Sequence, residues 1–184
     1  MQRRRFLFSL PVLSLAGAIP RRAVAAAPGI GSVAELQQGW QKLLAPNADV
    51  AMTTEPLKKT EAEWRALLTP AQFNVLRQHG TEYPYSSPLN GEKRAGVFAC
   101  AGCSLPLFTS QMKFDSGTGW PSFFTLIPGR LETKEDLTWI MPRTEYHCVR
   151  CGGHHGHVFD DGPRPTGLRY CNNGVALRFI PLKA

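Results

Sequence analysis

One cysteine of the sequence has unusual neighbours. It lies in the stretch GLRYCNNGVALRF, residues 167–179. Apolar residues partly alternate here, which predicts an extended strand in which residues two apart share a face. Arg169, Cys171 and Asn173 then point the same way. A nearby cation favours the thiolate, which is the reactive form, although a lone cysteine in a strand is also often an inert core residue. Cys171 is therefore a candidate nucleophile.

The other four cysteines form two pairs with the spacing of metal ligands. Cys100 and Cys103 belong to CAGC, and Cys148 and Cys151 to CVRC. Two such turns can each supply half of a tetrahedral Zn²⁺ site, and four sulfurs leave no position for a substrate. The spacing predicts one structural zinc ion. Two disulfides are the alternative, which an exported protein would permit.

Three histidines lie in the glycine-rich stretch GGHHGHVFDDG, which runs from residue 152 to 162. Imidazole can donate a proton near neutral pH, as a reaction that breaks a bond to oxygen requires. A histidine-rich catalytic metal site and surface histidines without a role are the alternatives. The sequence alone does not show which of the histidines donates the proton.

A compact turn is predicted in KFDSGTGWPSFF, residues 113–124, by its glycines and proline. This turn would hold Trp120 and Phe123 at a surface, where they could line an apolar slot for a substrate. The alternative for Trp120 is that it fills the core.

The remaining patterns predict helices followed by a largely β domain. VAELQQGWQKLL, in an approach segment of residues 26–58, could form a short helix. EAEWRALL and TPAQFNVLRQHG predict two more, the last with Thr69 as N-cap, Pro70 in its first turn and Gly80 at its end. From residue 81 to 182, glycine and proline separate short apolar runs, namely GVFACAG, PLFTS, LTWIMP and ALRFIPL. Such runs are typical of short antiparallel strands.

The net charge of +7 is concentrated at the N-terminus. Five arginines and no acidic residue occur in residues 1–25, so the rest of the chain has 16 basic and 14 acidic side chains, or +2. Binding to nucleic acid is not expected from that balance.

Residues 1–25 have the features of a signal peptide. A basic start precedes an apolar run, and small residues end at Ala25, so the mature chain is expected to begin near Ala26. The run is too short and proline-broken for a membrane span, and no stable membrane association is expected after cleavage. Arg3 and Arg4 begin a twin-arginine-like motif, which predicts export to the periplasm; an ordinary secretory leader is the alternative.

Taken together, KFDSGTGWPSFF, RCGGHHGHVFDDGPRPTGLRYCNNGVALRF and the paired C-x-x-C turns resemble the peptide-methionine (R)-S-oxide reductases over about residues 60–182. The resemblance implies a mainly β (α+β) domain, assigned to residues 59–184, with two small antiparallel sheets in a barrel-like core. It also implies that Cys171 attacks the sulfur of methionine-R-sulfoxide in oxidised proteins, and that a thioredoxin-like or other thiol reductant regenerates it.

The resemblance assigns further roles residue by residue. It implies that Trp120 packs on the methyl group of the substrate and that five residues surround the nucleophile: His154, His157, Asp161, Arg169 and Asn173. His155 departs from the usual apolar residue and is left out. Thr118 stands where many relatives carry a second cysteine. A zinc-ribbon binding module and a dithiol oxidoreductase using Cys100 and Cys103 are the alternative functions.

Overall fold

Among the described residues the α-helices precede the strands, as expected from the sequence. A computed structural model describes residues 32–137 and 142–183. The helices are α1 (Val33–Gln38), α2 (Glu61–Leu67) and α3 (Pro70–Gln78). Each begins at a capping box, in which an N-cap serine or threonine and an acidic or amide side chain three residues later bond to each other's backbone N–H groups.

Helix α3 begins as predicted and ends at Gln78, just before Gly80, whose N–H donates to the carbonyl of Asn74 at 2.9 Å. Thr69 is the N-cap and Pro70 lies in the first turn. The residue that takes the left-handed conformation after the last turn is His79, with φ 57°, rather than Gly80. Gly80 lies close to the side chain of Asn74, whose nitrogen would be 2.2 Å from a Cβ atom at this position.

In the described part of the chain, nine strands form two antiparallel sheets. They are β1 (Gly96–Cys100), β2 (Pro106–Thr109), β3 (Lys113–Phe114), β4 (Ser122–Phe123), β5 (Leu131–Asp136), β6 (Arg143–Cys148), β7 (His154–Phe159), β8 (Arg169–Asn172) and β9 (Leu177–Pro181). One sheet has the order β2-β1-β9, and the other β3-β4-β8-β7-β6-β5. The predicted mainly β fold with two antiparallel sheets is confirmed. Most of LTWIMP lies outside the described residues, so a strand there stays a prediction.

Both sheets and the helices share one core. Phe98 of β1, Phe108 of β2 and Tyr146 of β6 are fully buried, and the ring of Phe108 makes an edge contact with that of Tyr146. Burying a side chain of this size contributes about 1.5–3 kcal/mol relative to leaving it exposed. Leu36 and Trp40 join the same core, so the approach segment packs on the domain from α1 onward.

The leader and residues 26–31 lie outside the described residues, so the signal peptide and the domain boundary at residue 59 stay predictions. Within the part of the chain that the structure describes, no helix has the length and apolar character needed to cross a membrane.

Candidate active site

Cys171 lies in the middle of the larger sheet. It is on β8, directly opposite His157 of β7 on one side and Ser122 of β4 on the other. Directly opposed residues in an antiparallel pair project from the same face. Cys171, His157, Trp120 and Asn173 all line one pocket, together with the ring of Phe159. Cys171 and Asn173, which the sequence predicts to face the same way, both line this pocket, as does Asn172 between them.

Arg169 supplies a positive charge beside the thiol. Its guanidinium donates two hydrogen bonds to the carboxylate of Asp161, at 2.7 and 2.8 Å, and lies over the ring of Phe159 at 4.2 Å. Arg169 is buried, whereas Asp161 is exposed at the edge of the site. The ion pair therefore holds a cation beside the thiol of Cys171.

Arg169 favours the Cys171 thiolate, as expected from the sequence, but the net effect of the pocket on the pKa of Cys171 is the opposite. Burial raises the pKa of the thiol, and the charge of Arg169, with hydrogen bonds from Thr118 and Arg169 itself, only partly opposes that effect. The physical reason is that a thiolate buried in a protein loses hydration, which one cation that is itself paired with Asp161 does not replace. In the free pocket, the protonated thiol is the favoured form at neutral pH.

A bulge in β7 brings two of the three histidines together. His154 pairs with His147 of β6 and Gly156 with Tyr146. Strand β7 therefore has one extra residue, His155, between these two pairs. Because of that extra residue, the rings of His154 and His157 lie in contact, with centroids 5.5 Å apart, although they are three positions apart in sequence.

Each of these histidines is held by a carboxylate. Nδ1 of His154 is 2.8 Å from Oε1 of Glu145, and Nε2 of His157 is 2.9 Å from Oδ2 of Asp136. Burial lowers the pKa of both imidazoles, and the carboxylates only partly counteract it. His157 lines the pocket, whereas His154 lies behind it and is 2% exposed. Sequence reasoning missed both carboxylates.

His155 points into the core. It is fully buried, its ring is parallel to that of Tyr146, and its Nδ1 lies 3.2 Å from the side-chain oxygen of Asn172. Burial lowers its pKa to about 4, so its ring is neutral. Its omission from the predicted site agrees with this position.

Glu82 connects three parts of the site and was also missed. Its carbonyl accepts a hydrogen bond from the indole N–H of Trp120 at 3.1 Å, and its own N–H donates to the side chain of Asn173 at 3.0 Å. Its carboxylate accepts from the N–H groups of Gly174 and Val175, at 2.6 and 2.9 Å. Glu82 thereby fixes one wall of the pocket relative to the end of β8.

The prediction that Phe123 lines a substrate slot is wrong. Its side chain is fully buried and stacks on Phe108, with ring centroids 4.1 Å apart. Successive residues of a strand point to opposite faces. Ser122 is the residue of β4 that lies opposite Cys171, so Phe123 points to the other face and into the core.

The four paired cysteines form a separate buried cluster. Sγ of Cys100 is 3.6 Å from that of Cys151, and Sγ of Cys103 is 3.5 Å from that of Cys148. All four ligand atoms lie within 4.8 Å of one another, and the thiols are free. Four sulfurs at about 2.3 Å from one tetrahedral ion would be about 3.8 Å apart. The cluster can therefore hold a metal ion such as zinc.

Comparison with known proteins agrees with this geometry. The sequence model of the family described as "SelR: SelR domain" matches residues 68–181. The chain belongs to the SelR-domain family. The chain is also similar to proteins named "Peptide methionine sulfoxide reductase MsrB" from several organisms. Those of Methanosarcina barkeri and Agrobacterium fabrum are 53% and 49% identical over 129 and 132 residues, which cover 70% and 71% of this chain and 91% and 98% of theirs. That of Bradyrhizobium diazoefficiens is 47% identical over 137 residues, or 74% of this chain and 99% of its own.

For this SelR-domain protein, replacing Arg169 tests the balance of charge and burial at Cys171. In Arg169→Met, the loss of the cation leaves Asp161 unpaired, and both changes disfavour the thiolate. We expect the pH at which Cys171 is half-alkylated by iodoacetamide to rise above that of the parent, as followed by mass spectrometry of the Cys171 peptide.

Arg65→Met is the matched control, because it also removes an arginine from an ion pair but on helix α2, outside the pocket lining. It should leave the alkylation profile unchanged. An Arg169→Met profile at the same or a lower pH, with the fold intact by circular dichroism, would show that Arg169 does not stabilise the thiolate.

Proposed function

We propose that this protein is a peptide-methionine (R)-S-oxide reductase that acts on oxidised proteins. The observation that carries the proposal is a free thiol, Cys171, in a pocket beside an imidazole and an indole, in a chain of the SelR-domain family. The names of the relatives support the same activity. The faces of Trp120 and Phe159 suit a methyl group, and the polar groups of His157 and Asn173 suit the sulfoxide oxygen.

The proposed reaction begins with proton movement from Cys171 to the substrate. Cys171 attacks the sulfoxide sulfur, and the oxygen is protonated through His157, which lies opposite it on the neighbouring strand. The attack forms a bond between the sulfur of Cys171 and the substrate sulfur. The protonated oxygen then passes from the substrate sulfur to the sulfur of Cys171, as the substrate S–O bond and the new S–S bond break. Methionine leaves with its sulfur reduced by two electrons, and Cys171 is left as sulfenic acid with its own sulfur oxidised by two electrons. His154 then acts through its contact with His157 rather than on the substrate.

We further propose that regeneration uses an external thiol. Thr118, at the position of a second cysteine in many relatives, hydrogen-bonds to Ser116 at 2.8 Å, and Ser116 to Ser122 at the same distance. A hydroxyl group cannot form a disulfide with Cys171. The four other thiols are grouped together in the buried cluster. A thioredoxin-like protein or a small thiol is therefore the proposed reductant.

A single-turnover experiment tests the activity and the regeneration step together. With excess methionine-R-sulfoxide and no reductant, the protein should release about one methionine per chain, gain about one oxygen in mass and react with dimedone at Cys171. The S epimer should give no methionine, and Cys171→Ser should give none from either epimer.

The outcomes separate the alternatives. If dithiol chemistry at Cys100 and Cys103 drives the reaction, Cys171→Ser retains its methionine release and the metal is lost on oxidation. If an intramolecular disulfide forms and zinc is released, a cysteine of the cluster resolves the sulfenic acid of Cys171, and the proposal of an external thiol is wrong. A protein that reduces neither epimer but binds zinc supports the binding-module alternative.

We propose that the four-cysteine cluster holds one structural Zn²⁺. Its sulfurs have the spacing that tetrahedral coordination requires, and two arginines donate to the carbonyls of its turns, Arg77 to Cys151 at 2.7 Å and Arg150 to Cys103 at 3.0 Å. A closed shell of four sulfurs gives such an ion no direct part in the reaction.

Removing one ligand tests this proposal. Elemental analysis of the parent should give about one zinc per chain, and Cys148→Ser should lose the zinc and unfold at a lower temperature, because metal binding and folding are coupled. Cys171→Ser is the matched control and should keep the zinc content and the unfolding temperature of the parent. Parent protein that is folded, active and free of metal would reject the zinc site.

We also propose export by the twin-arginine route, based on the leader sequence alone. Arg3→Lys with Arg4→Lys keeps the charge but removes the motif, so uncleaved precursor should accumulate in the cytoplasm. Arg21→Lys with Arg22→Lys is the charge-matched control and should be processed normally. Normal cleavage and periplasmic recovery of the Arg3, Arg4 double variant would leave ordinary secretion as the route.

A further inference from the structure

Three possible metal ligands outside the four-cysteine cluster converge next to the pocket. They are His79, Glu145 and His154. Oε1 of Glu145 is 3.2 Å from Nδ1 of His79 and 2.8 Å from Nδ1 of His154, and the three ligand atoms lie within 4.8 Å of one another. Two atoms bound to one tetrahedral zinc at about 2.1 Å are about 3.4 Å apart. Two of the three separations are therefore already close to those of a coordination shell.

The three residues come from three different elements. His79 follows helix α3 and is fixed by its left-handed conformation, Glu145 lies on β6, and His154 begins β7. The side chains of Glu145 and His154 are 6% and 2% exposed, whereas that of His79 is 52% exposed. A metal ion could therefore reach the two buried ligands from solvent on the side of His79.

We propose that His79, Glu145 and His154 form a second divalent-metal site, which takes Zn²⁺ and slows the reaction at Cys171. Two imidazoles and one carboxylate are a donor set that zinc accepts, with water in the fourth position. Because one position stays open and one ligand is exposed, this site exchanges its ion, unlike the buried four-sulfur cluster. The slowing rests on the proposed reductase function, whereas the metal binding does not.

Lys134 limits the affinity of this site. Its ammonium group lies 3.3 Å from Oε2 of Glu145, the oxygen that does not face the histidines. That positive charge repels an incoming cation, which favours an ion that binds only when its concentration is raised. The Lys134 side chain is 50% exposed and can move into solvent when the metal binds.

The site is placed to affect the reaction through His154. The ring of His154 contacts that of His157, with centroids 5.5 Å apart. A doubly charged ion on His154 opposes the positive charge that His157 carries while it transfers the proton, and it fixes the ring of His154. Metal binding is therefore expected to slow the release of methionine without occupying the pocket.

The binding experiment uses the Cys171→Ser variant with zinc already bound in the four-cysteine cluster, so that the thiol of Cys171 cannot be a ligand. Titration with ZnCl₂ by calorimetry, without thiols or chelators, should show about one further Zn²⁺ per chain. Adding His79→Asn should weaken this binding at least about tenfold, since Asn tolerates the left-handed conformation but is a poor zinc ligand. Lys134→Met should strengthen it several-fold.

His147→Asn is the matched control. His147 faces Glu132 at 3.5 Å in a similar pair, and neither belongs to a group of three possible ligands among the described residues. It should leave the second binding event unchanged. If no second Zn²⁺ binds, or if His79→Asn binds it as tightly as the parent, the site is wrong.

The activity arm measures single-turnover methionine release with Cys171 present. Zn²⁺ at saturating concentration should slow the parent about threefold or more relative to its own rate without added zinc, whereas the rate of His79→Asn should not change when zinc is added. Binding with no change in rate would overturn the inhibitory part. If the protein shows no reductase activity at all, the calorimetry still decides whether the metal site exists.

Discussion

The contact between the two cysteine turns is the constraint on which the rest of the site depends. Cys100 is the last residue of β1 in the smaller sheet and Cys103 follows it, whereas Cys148 is the last residue of β6 in the larger sheet and Cys151 lies between β6 and β7. The sulfur atoms of the two turns lie 3.5 and 3.6 Å apart, so the two sheets are in contact at this point. His154 begins β7 only three residues after Cys151, so the cluster fixes the strand on which the active-site histidines lie.

The same connection extends to the helices. Arg77, near the end of α3, donates to the carbonyl of Cys151, and Gly153 lies against Leu76 of the same helix, where a Cβ atom would be 2.9 Å from the Leu76 side chain. The end of α3 is thereby held next to the start of β7. This placement brings His79 to Glu145, which no local sequence pattern could indicate.

Much of the fold could be predicted from local signals. The capping residues Thr60 and Thr69, the C-x-x-C turns and the chain of short apolar runs each depend on residues close in sequence. The partners of the histidines could not be predicted in this way, because Glu145 and Asp136 reach the histidines through strand pairing. The same holds for Glu82, which contacts Trp120 across 38 residues of sequence. Phe123 was misplaced for a different reason: its face follows from the alternation of β4, whose phase is set by the pairing of Ser122 with Cys171.

Burial acts on the two reacting groups in opposite directions and leaves both neutral. It raises the pKa of Cys171 and lowers that of His157, because each charged form loses hydration in the pocket. At rest the proton stays on sulfur and the imidazole is free to accept it. The charge of Arg169 stabilises the thiolate when the proton leaves, and Asp136 stabilises the imidazolium that forms. A free thiol that is mostly protonated reacts slowly with oxidants, whereas in the proposed reaction transfer to His157 supplies both the nucleophile and the acid that reduction of a sulfoxide requires.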